Sequence, residues 1–453
     1  MKMTEMQDPR EQKLQRWIES ELGMRVVSMQ RQARWRPCWF VEAERGGTTK
    51  QLYARGRREQ AELTFFPLAH EAAILRAFRR NGIPAPEIHG MCPEPEAIVM
   101  DRMPGRADLS TEPDPVLRQA ALDDMMGWLV RVHALPVAAF SEAGLPAAEG
   151  EAVTFGLFDH FEAIYRGAKK RPEPAIEFLA GWLRRNAPAP LPQAHFITGD
   201  SGQFMFENGK VTSLIDLELG HFGDPAFDLA SLLLRHLSEP LGDLAAAFAT
   251  YRRLTEAPID PARIDYFVAL WGLMTPFTVS ALMRDPTPEL DLRIYLEMYY
   301  VLMAVPLEAA ARLAGMVLEP EPALPAVVPS EAVAAARASI ASALADVPAE
   351  TPLAAYRRGC AAEVADYLAI LAVQEPGILA AERAEAAALL GQDIAEASAR
   401  EAALEAFVLA AGPEADATLL RFFHKQVTRR LALLGDMPGK MFKRRRVQQM
   451  WGP

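Results

Sequence analysis

The chain has 453 residues, 50% hydrophobic and 24% charged, a globular composition long enough for two or three domains. Its net charge of −11 lacks the basic footprint of a general nucleic-acid binder, so no nucleic-acid partner is expected. Three cysteines without a CxxC pair and eight scattered histidines argue against a disulfide framework or a zinc site, and fit a reducing cytoplasm, the expected location.

No run of 18 apolar residues free of charge occurs, so no membrane partner is expected, and the polar N-terminus is unlike a secretory signal. Residues 25–105 read as mixed strand and helix. Trp39 to Glu44 reads as a strand ended by Gly46-Gly47, and Gln51 to Arg55 as a second. A helix follows with Leu68, Ala72, Leu75 and Phe78 on one face; Asn81-Gly82 and then Pro84 stop it. Ala97 to Met100 is a short buried strand, and Met103-Pro104-Gly105 turns the chain out of this layer. Residues 113–192 are helical in pattern, 194–216 switch to strands, and 224–316 return to helices rich in Met, Phe and Tyr. Pro320, Pro322, Pro325 and Pro329 mark a linker. Beyond it, 330–435 is Ala-, Leu- and Glu-rich with helical periodicity, and the basic cluster from Lys443 to Arg446 reads as a solvated terminal tail.

Asn208-Gly209 lies between Phe204-Met205-Phe206 and Val211 to Ile215, a strong hairpin signal because both turn positions need positive φ. An unbroken register from Glu207 opposite Lys210 sets Gln203 opposite Leu214 and Ser201 opposite Asp216. Gln203 and Asp216 then project from one face as diagonal neighbours, with Asp200 just beyond the open end. Two carboxylates and an amide suit Mg²⁺, a hard cation that takes oxygen ligands, and suit phosphoryl transfer, in which one carboxylate accepts the hydroxyl proton. Read as two isolated aspartates, Asp200 and Asp216 would be ordinary turn-capping residues.

The surrounding residues decide between these readings. Thr198-Gly199-Asp200, Leu214-Ile215-Asp216-Leu217-Glu218, Gly223-Asp224-Pro225 and Asp228-Leu229-Ala230 resemble, in order, the motifs of the aminoglycoside phosphotransferase-like family. The resemblance implies an α+β, bilobal protein-kinase-like fold: a small β-rich nucleotide-binding lobe over 25–105, a larger helical catalytic and acceptor lobe over 106–318, and an all-α extension over 330–453. By the same resemblance Asp200 is the catalytic base and Asp216 a magnesium ligand, while Asp224 and Asp228 hold backbone around the catalytic loop. Thr198 stands where the family usually has His, and Met205 where it has its metal-binding Asn; counting back from the hairpin glycine makes Gln203 the second ligand.

In this fold a strand cation contacts the nucleotide phosphates and pairs with a helix Glu. Glu71 fits the Glu and Arg55 the cation, while Met100 to Met103, Met100 and Arg102 included, are positioned to meet adenine. No glycine-rich loop is visible; residues 31–37 carry Arg34 and Arg36 instead, which either grip phosphate or form an exposed basic turn. His133 reads as a satisfied helix residue. Met and aromatic side chains between Tyr266 and Tyr300 either fill the core or reach an acceptor pocket, where Asp285 and Glu289 could meet a cation. The expected activity is transfer of the γ-phosphoryl group of ATP, with Mg²⁺, to a hydroxyl of a small molecule. The rival readings are a catalytically degenerate kinase-like module, which Thr198, Met205 and the missing glycine loop favour, and a scaffold acting on a protein partner through the helical extension.

Overall fold

The structure, a computed structural model, describes residues 8–32, 36–58, 65–256, 258–284, 291–320, 328–434 and 441–451. Arg34, Asp285, Glu289 and residues 321–327 of the Pro-rich stretch lie outside the described residues. The chain divides into two compact units.

The first unit comprises Met1–Glu149, Pro192–Asp228 and Leu241–Pro258. It opens with α1 (Pro9–Glu21), β1 (Arg25–Arg31), β2 (Cys38–Arg45), β3 (Thr48–Gly56), α2 (Leu68–Arg80), β4 (Ile88–Pro93) and β5 (Glu96–Asp101). The five strands form an antiparallel sheet in the order β1-β2-β3-β5-β4. Gly46 and Gly47, both at positive φ, make the tight β2–β3 turn.

Alternation along the strands builds the site's geometry. Trp39, Val41, Ala43, Leu52, Ala54, Ala97 and Val99 pack with Leu14 and Ile18 of α1 into one core. Because successive side chains point to opposite faces, Phe40, Tyr53, Arg55, Ile98 and Met100 occupy the other face. The register pairs Tyr53 with Met100 and Arg55 with Ile98. α2 packs against β4 and β5, burying Ile74, Leu75 and Phe78, and ends at Asn81 with Gly82 at φ 70°.

The remaining elements of this unit are α3 (Pro115–His133), β6 (His195–Ile197), β7 (Phe204–Glu207), β8 (Lys210–Leu214), β9 (His221–Gly223) and α7 (Leu244–Thr255). β6 pairs with β9, and β7 with β8. Phe196 of β6 and Phe222 of β9 cluster with Phe78 and Phe140: Phe140 stacks on Phe196 at a 4.0 Å centroid distance, and Phe78 meets Phe196, and Phe222 meets Phe140, edge to face. α6 (Pro225–Ser238) carries the chain from this unit into the second.

The second unit holds α4 (Ala152–Ala168), α5 (Pro174–Arg185), α8 (Pro261–Arg284), α9 (Leu292–Leu313), α10 (Glu331–Ala345), α11 (Pro352–Leu390), α12 (Ala397–Ala410) and α13 (Asp416–Ala432). Tyr266, Met274 and Phe277 are buried here, Phe277 against Phe158 and Tyr165, so these side chains are packing residues. Glu177 accepts from Tyr165 Oη (2.9 Å) and Lys169 Nζ (2.6 Å), and Lys169 reaches Glu405 of α12 (2.7 Å). Arg430 of α13 pairs with Glu382 of α11. In the basic cluster Lys443, Arg444 and Arg446 are exposed, while the backbone is anchored: the N–H groups of Lys443 and Arg444 donate to the Leu237 carbonyl (2.8 and 2.9 Å).

Three helical segments are long and apolar enough to cross a bilayer by length and composition: Pro261–Met283, Leu292–Leu313 and Ala354–Leu390. The first two are 78% and 72% buried within the fold and the third 11%. The first helix contains 18 consecutive uncharged residues, Tyr266–Met283, in which Thr275, Thr278 and Ser280 interrupt the apolar run.

Candidate active site

The Asn-Gly turn forms as predicted, with Asn208 at φ 51° and Gly209 at φ 74°, and Glu207 pairs with Lys210. The predicted register holds for one more pair and then fails. Phe206 pairs with Val211, but a bulge sets Met205 opposite Ser213 and Phe204 opposite Leu214. The extra residue is Thr212, whose hydroxyl donates to the Pro104 carbonyl (2.7 Å), and Phe206 exchanges both backbone hydrogen bonds with Arg106. These two anchors outside the hairpin override the simple count.

Gln203 therefore lies against Ile215, whose N–H donates to its carbonyl (3.2 Å), rather than opposite Leu214. Asp216 adopts the left-handed region (φ 57°, ψ 47°), which ends the strand alternation. Strand parity thus does not place Gln203 and Asp216 on one face. The backbone still draws the three residues together: Gln203 N–H donates to the Asp200 carbonyl (3.1 Å), and Gln203's partner Ile215 precedes Asp216. Asp200, Gln203 and Asp216 all offer oxygen donors, the class a hard divalent cation takes. Among the described residues no group of three or more His, Cys, Asp or Glu side chains could hold a metal.

Asp228 organises the loop bearing Asp200. Its buried carboxylate accepts from Thr198 N (2.8 Å), Thr198 Oγ1 (3.0 Å) and Gly199 N (2.9 Å), while its carbonyl accepts from Ser201 Oγ (2.5 Å). His133, at the end of α3, meets Asp228 through Nε2 (3.1 Å) and the Tyr251 hydroxyl through Nδ1 (2.7 Å). Asp224 accepts from Ala226 N (2.9 Å), opening α6. Gly199 has φ 79°, and a Cβ there would stand 2.6 Å from both the Cβ and the carbonyl oxygen of Leu219. Gly199→Ala is accordingly expected to destabilise the fold by about 1–3 kcal/mol, read as a lower denaturation midpoint.

Arg55 projects from β3 onto the face covered by α2. Its Nε donates to Glu71 (2.8 Å) and its Nη2 to Asp216, linking strand, helix and the segment that follows the hairpin. Burial opposes the Arg55 charge, but Asp216 and Glu71 beside it raise its pKa well above the ordinary value. His70 of α2 contacts the Gly220 carbonyl (2.9 Å), a second tie to the same segment. Burial lowers the pKa of the neighbouring His221 to about 4, so this imidazole is neutral at pH 7. Removing Arg55 would leave two facing carboxylates, one of them fully buried. Arg55→Met is expected to cost roughly 3–5 kcal/mol, measured by urea unfolding, with Arg55→Lys milder.

Met100 lies on the Arg55 face of the sheet and is buried. Arg102 is exposed, and its guanidinium stacks 4.0 Å from the Phe40 ring centre. The N–H groups of Asp101 and Arg102 already donate to Glu87 and Gln51. Arg36 does not lie in an exposed turn: it is buried and donates to Glu218 Oε2 (2.9 Å) and to the Gly56 carbonyl (2.9 Å), and two charged residues outside the expected set join it, Arg58 donating to Glu218 Oε1. Some 160 residues separate Arg58 from Glu218, and no local spacing announces the pair.

A paired strand cation and helix carboxylate, set beside an aspartate-bearing loop and hairpin, define a kinase-like phosphotransferase. The profile of the phosphotransferase enzyme family matches residues 39–267, just over half of the chain. The chain belongs to that family, with an α+β protein-kinase-like fold, and its class is that of the small-molecule phosphotransferases. Among solved structures it is similar to a protein of Ralstonia eutropha JMP134 assigned as an aminoglycoside phosphotransferase (16% identity, TM-score 0.49, 67% of this chain and 98% of that one). It is also similar to a thermostable mutant of aminoglycoside phosphotransferase APH(4)-Ia in complex with AMP-PNP and hygromycin B (14%, 0.49, 67% and 99%). A third is macrolide 2′-phosphotransferase type I (18%, 0.46, 70% and 100%). No curated protein matches the sequence significantly.

Proposed function

We propose that the protein transfers the γ-phosphoryl group of ATP to a hydroxyl of a small molecule. The observation that carries this reading is the continuous chain of contacts from Glu71 through Arg55 to Asp216, next to a loop whose backbone Asp228 holds. Asp200 orients the acceptor hydroxyl and takes its proton. Arg55, fixed by Glu71, neutralises phosphate charge, as a planar fork suited to phosphate oxygens can. Gln203 and Asp216 hold Mg²⁺, which supplies charge neutralisation on the transferring group when bound.

The nucleotide lies on the sheet face of residues 25–105 that carries Arg55 and Met100, with Arg102 at its edge. Since the Asp101 and Arg102 N–H groups serve the sheet, Met103 is the residue of that stretch best placed to meet adenine through its backbone. Thr198, one ground for a degenerate reading, makes two hydrogen bonds to Asp228, which supports an ordered loop despite the departure from His. The proposed location is the cytoplasm, in keeping with three free thiols. A screen of hydroxyl metabolites with radiolabelled ATP, using Asp200→Asn as the blank, tests the reading. Magnesium-dependent ATP binding without turnover of any acceptor would favour the binding-module alternative.

A further inference from the structure

The connection between β1 and β2 holds no glycine over residues 31–37, yet it delivers a buried arginine to the cluster. Arg36 and Arg58 each hold one oxygen of Glu218, and Arg55 holds Asp216. Glu71 is buried behind Arg55, but the other two carboxylates are more exposed than the arginines. The side chains of Arg36, Arg55 and Arg58 are 3, 6 and 12% exposed, whereas those of Glu218 and Asp216 are 16 and 22% exposed. Cations line the wall, and Glu218 and Asp216 cap it on the wetter side. Burial, with Arg36 and Arg55 close by, lowers the pKa of Arg58 against the pull of Glu218. Guanidiniums gathered this closely need anionic partners, and their forked donors match phosphate oxygens as well as carboxylates.

We infer that Arg36, Arg55 and Arg58 form a polyphosphate cradle that Glu218 and Asp216 plug in the nucleotide-free protein, a triphosphate entering by displacing Glu218 from Arg36 and Arg58. The inference rests on the nucleotide role proposed above. It gives the β1–β2 connection a positive function: arginine side chains do what backbone N–H groups of a glycine loop would do elsewhere. It also gives Glu218 a definite sign. A plug competes with the ligand, and the apparent affinity falls by the fraction of molecules left open.

Calorimetry on the full chain in magnesium-free buffer, with ATP, inorganic tripolyphosphate and AMP as probes, tests this. Glu218→Gln is expected to tighten ATP and tripolyphosphate by about tenfold, because the competing anion is gone. Arg58→Gln is expected to weaken both by about tenfold while leaving AMP unchanged, the loss of one charge-assisted contact. Should Glu218→Gln fail to melt cooperatively, the Arg58→Gln pattern across the three probes carries the test. Unchanged or weaker tripolyphosphate binding in a folded Glu218→Gln, or equal binding in wild type and Arg58→Gln, overturns the cradle and leaves the kinase reading standing. Wild-type protein that binds neither ATP nor tripolyphosphate in this buffer but binds ATP once magnesium is restored overturns the cradle alone; no ATP binding with magnesium either overturns both.

Discussion

Asp200→Asn is expected to lower the rate of ATP-dependent phosphorylation by about 10²–10⁴-fold, the usual contribution of a positioned general base. The substitution is nearly isosteric and spares the Asp200 carbonyl, which accepts from Gln203 N. Flanking Thr198, Gly199 and Ser201 keep their bonds to Asp228, so the loop should hold its shape. The loss should therefore fall on kcat, with ATP affinity within about twofold of wild type, because an interaction made only in the transition state is removed. Initial rates with radiolabelled ATP, alongside ATP titration by calorimetry, separate the two. A variant with wild-type kcat would remove Asp200 from the chemistry.

The parts of this site legible in the sequence are those set by local pattern. β2, β3, α2 and β5 fall where alternation, helical spacing and the Gly46-Gly47 and Asn81-Gly82 stops place them. Arg55 meets Glu71 because β3 alternates about a buried core and α2 covers the opposite face. What failed was set by contacts beyond the segment. The hairpin turn is local and correct; its register yields to Pro104 and Arg106, a hundred residues upstream. β4 carries Gly90 and Pro93 and gives no clear strand signal, yet it forms beside β5. His133 does read as a satisfied helix residue, but its partners Asp228 and Tyr251 lie 95 and 118 residues away. Arg58 and Glu218 carry no pattern at all, since any exposed-looking charge in a sequence can be drawn into a buried cluster by the fold.

Asp228→Ala is expected to cost as much in stability as Arg55→Met, roughly 3–5 kcal/mol, and to abolish turnover with it. One fully buried carboxylate satisfies two backbone N–H groups and a hydroxyl within two consecutive residues, and it faces His133 as well. Each buried donor left without an acceptor costs on the order of 1–3 kcal/mol. Asp228→Asn does not repair this. It keeps one acceptor oxygen, but its amide N–H₂ would point at groups that themselves donate. The damage should be local before it is global: the peptide spanning 198–203 should lose protection in hydrogen exchange while α2 and the strand carrying Arg55 keep theirs. That contrast separates a positioning role from general destabilisation, for a merely structural aspartate would lower the unfolding midpoint without singling out the loop. If the 198–203 peptide stays as protected as in wild type and phosphorylation persists, Asp228 does not hold the catalytic loop.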